Sequence, residues 1–351
     1  MLAVNVSPAG DWPQWRGELR DGVAAEETIR DNWSKQSPEL LWMVEGMGEG
    51  YASVAIADGV LYTTGNDTES QFAVAVDASN GERIWATPLT DKPPKHSYPG
   101  SRCTPTVDGD RVFVTTSDGS IASLSRADGQ VIWQKSFALE WQGRLMSGWG
   151  FSESPLVDEG AVLCTPGGSE ALIVKLDKLT GEEIWRLDHG DGFSVVPRPI
   201  YSPKTGLIYL STGFGKPVLL AVRPDGKGDI TGSDKIAWSE AKRIPARPSP
   251  ILVGDELYVI ADGGIASCLD ATTGTLHWTE RVDGNYSASP LFADGHLYFA
   301  SQEGVVTVLK PGKTFEIVAQ NQLEGTIMAS PIAFDGSLVI RTGTAIYRFV
   351  K

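Results

Sequence analysis

Seven times along the chain a short apolar run meets a turn containing glycine and continues as an alternating run of Tyr, Val, Leu or Phe. "SPILVGDELYVI" from Ser249, "SPLFADGHLYFA" from Ser289 and "SPIAFDGSLVI" from Ser330 are three examples, and "SVAIADGVLYT" from Ser53 is the same pattern without the proline. Alternation with period two on both sides of a glycine turn reads as a β-hairpin. A second pattern keeps step with the first. "AVDASNGERIW", "SLSRADGQVIW", "KLDKLTGEEIW" and "CLDATTGTLHW" end on Trp85, Trp133, Trp185 and Trp278, each with Gly four residues earlier. A looser copy ends at Trp238, while "LLWMVE" at Trp42 and "FEIVAQ" around Ile317 look like the closing strand without its turn.

The two patterns together make a unit of four strands, A to D. Ser-Pro leads into A, and a glycine turn joins A to B. A short Asp-Gly or Glu-Gly loop (Asp118, Asp262, Glu303) joins B to C, and the Asp/Thr-Gly turn joins C to the Trp-ended D. The repeat of roughly 40–50 residues is the length of a propeller blade. The last unit runs out after its third strand, and the strand at Trp42 precedes every strand A. The expectation is therefore an all-β, seven-bladed β-propeller of four-stranded blades, its last blade completed by the N-terminal strand. Residues 39–351 form the propeller. Residues 1–38 form an N-terminal extension, with a turn or two of helix within 18–36 and the remnant of a signal-peptide site around Ala9–Gly10.

Elementary chemistry accounts for the repeated residue types. Gly takes the positive φ that such turns need. Asp before the turn accepts hydrogen bonds from its amides. A Trp on an outer strand buries roughly 150–250 Å² against the next blade. These residues establish architecture and carry no reaction.

Composition narrows the functional classes. The 351 residues carry a formal net charge of −14, and no basic run is present. Phosphate binding needs clustered Lys and Arg, so nucleic acid is excluded as a partner, and an anionic membrane surface is disfavoured. No stretch is long and apolar enough to span a bilayer. Cys103, Cys164 and Cys268 fall in three different units, an odd count without the spacing of a disulfide framework. The four histidines, His96, His189, His277 and His296, have no metal-ligand spacing. Neither a Gly-x-Ser-x-Gly elbow nor a phosphate-cradling loop appears.

The turn ending in Trp resembles the tryptophan-docking motif of the PQQ-like repeat family, which embraces quinoprotein dehydrogenases and BamB-like proteins. "DWPQWRG" (Asp11 to Gly17) and the stretches from Ser289 and Ala329 are most similar to secreted BamB-like repeat proteins of planctomycete type. The resemblance implies a propeller over nearly the whole chain. It implies either quinone-dependent alcohol oxidation or non-catalytic protein binding. The chain departs from the dehydrogenases in lacking their vicinal Cys-Cys pair and in showing seven blades where they have eight.

Topology says where a site would sit. The D-to-A and B-to-C connections share one face, and that face holds the long, variable segments on which function tends to lie. Arg102, Arg144, Arg198 and Arg247 stand in or beside the D-to-A segments, with Tyr51, Tyr98, Trp149, Phe151, Phe193 and Tyr286. His96 lies in "DKPPKHSYPGSR", a loop long enough to reach over the ring. Cations at one mouth of an acidic protein imply an anionic ligand or acidic side chains of a partner, and aromatic rims also suit sugars. The expected site is thus Arg102, Arg144, Arg198, Arg247, Tyr98, Trp149, Tyr286 and His96. The bland alternative is that these arginines pair with Glu153, Asp191 or Asp67. The sequence reads as an exported, monomeric, non-catalytic scaffold for a protein, peptide or glycan, with no metal and no cofactor. The alternative is an enzyme using the central funnel, either a hydrolase or lyase or a dehydrogenase with pyrroloquinoline quinone and calcium.

Overall fold

The computed structural model describes residues 10–29, 38–145, 148–168, 170–187, 195–227 and 230–350. The chain is a seven-bladed β-propeller of four-stranded blades. Blade 1 is built of Ala55–Ala57, Val60–Asn66, Gln71–Asp77 and Arg83–Pro88 as strands A to D. Blade 2 is Thr106–Asp108, Arg111–Thr115, Ser120–Ser125 and Val131–Ser136; blade 3 is Leu156–Asp158, Ala161–Cys164, Ile173–Asp177 and Glu183–Leu187. Blade 4 is Ile200–Ser202, Leu207–Ser211, Leu219–Val222 and Ile236–Glu240; blade 5 is Ile251–Val253, Glu256–Ile260, Ile265–Asp270 and Leu276–Arg281. Blade 6 is Leu291–Ala293, His296–Ala300, Val305–Leu309 and Ile317–Gln322. Blade 7 takes A, B and C from Ile332–Phe334, Ser337–Arg341 and Ala345–Val350, and its D strand is Glu39–Glu45 from the other end of the chain.

By compactness the chain divides into two units, one of Met1–Arg20, Leu40–Gly192 and Ser337–Phe349, the other of Asp21–Glu39, Phe193–Gly336 and Val350–Lys351. In the first unit, blades 1 to 3 are bolted together at both ends. At the outer end, Trp42 Nε1 donates to the Ala78 carbonyl (3.0 Å), Trp85 to Arg126 (3.1 Å) and Trp133 to Lys178 (3.2 Å). Each indole lies on the glycine of the next turn. A Cβ on Gly129 (φ +73°) would stand 2.6 Å from Trp85, so this position needs glycine for space as well as for φ. Trp185 on blade 3 is exposed. At the inner end, the Ser53 amide donates to Thr104 Oγ1 and the Thr104 amide to Ser154 Oγ, both at 3.1 Å. The hydroxyl of the residue before each strand-A proline thus satisfies a main-chain amide of the preceding blade.

The second unit repeats both devices. Trp238 donates to Ala271 and Trp278 to Gly312, each at 3.0 Å. The amides of Arg198, Ser249 and Ser289 donate to Ser249, Ser289 and Ser330 Oγ in turn, all at 3.0 Å. Asp177 in the first unit and Asp270 in the second take up the turn amides two and three residues on, at 2.8–3.1 Å.

The N-terminal residues are more than an extension. Within the first unit, Trp12 and Ile56 exchange main-chain bonds at 2.9 and 2.8 Å, and the Val107 amide donates to Pro13 O at 2.7 Å. Arg20 reaches the Ser154 and Pro155 carbonyls at the start of blade 3. Within the second unit, Val23–Ala24 runs parallel to Leu291–Ala293, and Glu27 accepts the Gly336 amide at 2.9 Å. Residues 10–29 therefore supply partners to strand-A edges, whose amides would otherwise have none. Residues 18–29 hold turns and this short strand rather than the expected helix. Residues 30–36 and the Ala9 side of the expected cleavage site lie outside the described residues. One short helix, Phe137–Trp141, follows strand D of blade 2.

Ser289→Ala removes the acceptor for the Ser249 amide at a site only 2 % exposed. The expected loss is about 1–3 kcal/mol, the cost of stranding a buried donor, read from the urea midpoint; an unchanged midpoint would refute the inner tie. The amides of Thr180 and Thr273, foremost among several bonds, hold the Asp177 and Asp270 carboxyls below their ordinary value of 3.8. Their contribution is therefore present above that value and lost as pH falls through the lower folded value. Asp270→Asn flattens the acid limb of the stability–pH curve below about pH 4; an acid limb identical to that of the parent counts against it.

Candidate functional site

Three connections of the first unit meet on the loop-rich side: the D-to-A segment before blade 2, the B-to-C loop of blade 2, and the D-to-A segment after it. The Ser97 amide donates to Gly148 O and the Phe151 amide to Ser117 O, both at 2.9 Å. The Phe151 ring covers Gly119 and meets Phe137 edge-on, with centroids 5.1 Å apart. Arg102 joins the two D-to-A segments, its guanidinium donating to the carbonyls of Tyr98 and Trp149. Burial lowers the Arg102 pKa, while the nearby Tyr51 and Tyr98 favour its charge. Above this tie the side chains of Tyr98 and Trp149 remain 45 % and 36 % exposed. His96 packs its ring on Gly150, where a Cβ would stand 2.7 Å from Cδ2. Arg144 is exposed at the margin of the second segment.

In the second unit the expected site residues turn inward. Arg247 Nε lies 2.5 Å from Asp262 Oδ1, and Asp262 Oδ2 accepts the Ala246 amide at 2.7 Å. Burial lowers the Arg198 pKa, with Asp21 acting the other way. Tyr286 is wholly buried, its hydroxyl on the Asp283 carbonyl at 3.1 Å. Tyr286 is thus a core residue, and Arg102 and Arg247 are structural ties rather than free cations. The pairing partner of Arg247 is Asp262, which the sequence reading had placed in a B-to-C loop without a role. Glu153 instead binds Thr165, and Asp67 binds its own turn amides. Phe193, Asp191 and His189 lie outside the described residues.

Sequence reasoning missed Arg341, on strand B of blade 7. It is 3 % exposed, and among the described residues no carboxylate pairs with it. Four oxygens do so instead: the Thr64 carbonyl (2.7 Å), the Ala52 and Gly48 carbonyls (3.2 Å each) and Thr63 Oγ1. Burial pulls its pKa down to about 10. Five planar donors fit such a ring of acceptors, where an ammonium would not. An arginine in an alternating strand gives no sign of this in sequence.

Two cavities accompany these features. One of about 210 Å³ lies at the edge of blade 1 beside Asp67, Phe72 and Arg83, and one of about 170 Å³ lies between blades 4 and 5 beside Glu240, Arg243 and Leu276. Neither is lined by the expected site residues. Among the described residues no three His, Cys, Asp or Glu side chains come together as a cation site. Of the loop-side arginines, Arg102 is bound to main chain and Arg247 to Asp262. The three cysteines are free and buried, and burial pushes the Cys103 and Cys268 thiols up to about 12. No helix among the described residues is long and apolar enough to cross a membrane.

Replacing Arg341 by Met strands four acceptors or leaves them to water. A loss of about 3–5 kcal/mol is expected, the range for breaking a buried charged network, and Arg341→Lys recovers little of it. Thermal unfolding of both variants checks this; a lysine variant as stable as the parent would remove the geometric requirement.

Known proteins share this architecture. The chain is 24% identical over 317 residues to the outer membrane protein assembly factor BamB of Yersinia pestis, covering 87% of this chain and 76% of that protein. It is 28% identical over 271 residues to 1-butanol dehydrogenase (quinone) of Thauera butanivorans, covering 72% of this chain but only 38% of the dehydrogenase. The chain thus spans well under half the length of that enzyme. Among solved structures, the quinohemoprotein alcohol dehydrogenase of Comamonas testosteroni matches with a TM-score of 0.62 at 13% identity, covering 99% of this chain and 81% of that one; at that identity the likeness shows the fold alone. The family model described as outer membrane protein assembly factor BamB matches residues 25–139 and 226–314, more than half of the chain, and the protein belongs to that family of repeat β-propellers.

Proposed function

We propose that this protein is a non-catalytic, exported binding propeller that takes up a protein or peptide on the loop-rich side of blades 1 to 3. The observation that carries the reading is the pair Tyr98 and Trp149. Both side chains are exposed, and one guanidinium holds the two backbones that bear them. Large aromatics on a rigid base are what binding hot spots are made of, because they bury much area at little entropic cost. Matches to an assembly factor over most of both chains support the same reading. Two of the four arginines that implied an anionic ligand, Arg102 and Arg247, are engaged in ties within the protein.

A second reading, quinone-dependent alcohol oxidation, is favoured by the match to the quinone dehydrogenase. Titration with pyrroloquinoline quinone, with and without calcium, separates the two, since eleven tryptophans report any binding. No saturable quenching is expected, and calcium-dependent saturation would overturn the scaffold reading. A photo-crosslinking residue placed at Tyr98 or Trp149 in producing cells is expected to give discrete protein adducts. The same residue at Leu19, which is 72 % exposed, is expected to give none. Equal labelling at all three positions, or adducts only to glycans, would refute the proposed face.

A further inference from the structure

Two B-to-C loops hold the segment before their blade through an acid, and a third brings its acid near a titratable ring. In blade 5, Asp262 holds the preceding D-to-A segment through the Ala246 amide and the Arg247 guanidinium. In blade 6, Glu303 holds the preceding segment through Asn285, accepting its amide and its side-chain NH2 at 2.9 Å each. In blade 2 the acid is Asp118, and the group it faces on the preceding segment is His96. Two blades thus latch the preceding loop with a B-to-C acid, through Arg or Asn, whereas in blade 2 the Asp118 carboxylate accepts from Thr116 Oγ1 and acts on His96 through its charge alone. Only the imidazole changes charge near neutral pH.

We propose that His96 makes the loop pair carrying Tyr98 and Trp149 a pH-sensitive latch, closed above neutrality and released in acid. The geometry sets the direction. His96 Nε2 is buried and has no hydrogen-bond partner among the described residues, and the ring packs against Gly150. The groups facing it are the Arg102 guanidinium, the Asp118 carboxylate and the Ser117 main chain. A second proton on the ring would sit desolvated beside the very cation that ties Tyr98 to Trp149. Burial first, then Arg102, lowers the His96 pKa below 6.5, with Ser117 and Asp118 acting against them. A lowered value in the closed form means that the closed form gains stability above pH 6.5 and loses it as pH falls. Relief comes from parting the Ser97–Gly148 and Phe151–Ser117 contacts, which frees the segment bearing Trp149.

The biological sense of the latch rests on the reading of this side as the binding face, but its operation needs no ligand to be measured. Hydrogen exchange of the Ser97 and Phe151 amides is followed from pH 8 to pH 5, corrected for intrinsic exchange. Protection is expected to hold above pH 6.5 and to fall below it by up to about tenfold per pH unit, the limit for one proton. In His96→Gln the same amides should show no such slope. The Ala246 amide, held by the Asp262 latch, serves as the internal control and stays protected in both proteins. A flat profile in the parent, or the same slope in the variant, overturns the latch. Should the variant lose protection at every pH, the His96 ring proton titration in the parent decides: a midpoint at or above 6.5 overturns the latch, and a lower one supports it. A working latch with no crosslinked partner at Tyr98 or Trp149 would leave the latch standing and remove the binding face.

Discussion

A hydroxyl at the inner end of blades 2, 3, 5, 6 and 7 is what the architecture depends on. Strand A is the innermost strand, so an amide at its start has no ladder partner on that side, and a buried amide left alone is costly. Ser or Thr before the strand-A proline answers this from the next blade, in the first unit as Ser53 to Thr104 to Ser154 and in the second from Arg198 through Ser249 and Ser289 to Ser330. The outer end is tied by a different bond of similar length, from indole to turn carbonyl. Two ties at opposite ends of a sheet fix both the spacing of neighbouring blades and the angle between them. Either alone would leave a hinge.

What the sequence made legible follows from range. Hairpins, the turn glycine and the Asp that caps the turn involve residues within a few positions, and pattern alone shows them. The indole tie was legible too, because Trp and Gly recur in register. The purpose of Ser-Pro was not, since donor and acceptor stand 40–51 residues apart and nothing local distinguishes a tying serine from any other. The N-terminal residues were read as an appendage for the same reason: Trp12 meets Ile56, and Glu27 meets Gly336, at separations no periodicity reports.

Loop length directs the reading to a face on which Tyr98 and Trp149 are exposed. Charge then misled, because an arginine in a loop looks the same whether it awaits an anion or holds two carbonyls. Arg102 and Arg247 hold what they touch, and a guanidinium with five donors in one plane is well made for tying loops. The B-to-C acids do not separate the cases: Asp118 and Glu303 directly precede the turn glycine while Asp262 stands one residue earlier, and only Asp262 pairs with a loop arginine.

The family resemblance and the loops answer different questions. The matched segments, 25–139 and 226–314, hold many of the residues that tie strand to strand and blade to blade, and those are needed whether a propeller oxidises an alcohol or holds a partner. Function has to be argued from what the ties leave over. In this chain the ties take up Arg102, Arg247 and Asn285 on the loop side of blades 2, 5 and 6. Arg247 with Asp262 is an ion pair, and Asn285 offers Glu303 a neutral donor. In blade 2 the Asp118 carboxylate takes the Thr116 hydroxyl and reaches His96 through charge alone. The loops there are held by Arg102 and by main chain, and His96 is the one group among them whose ordinary pKa lies near neutral pH.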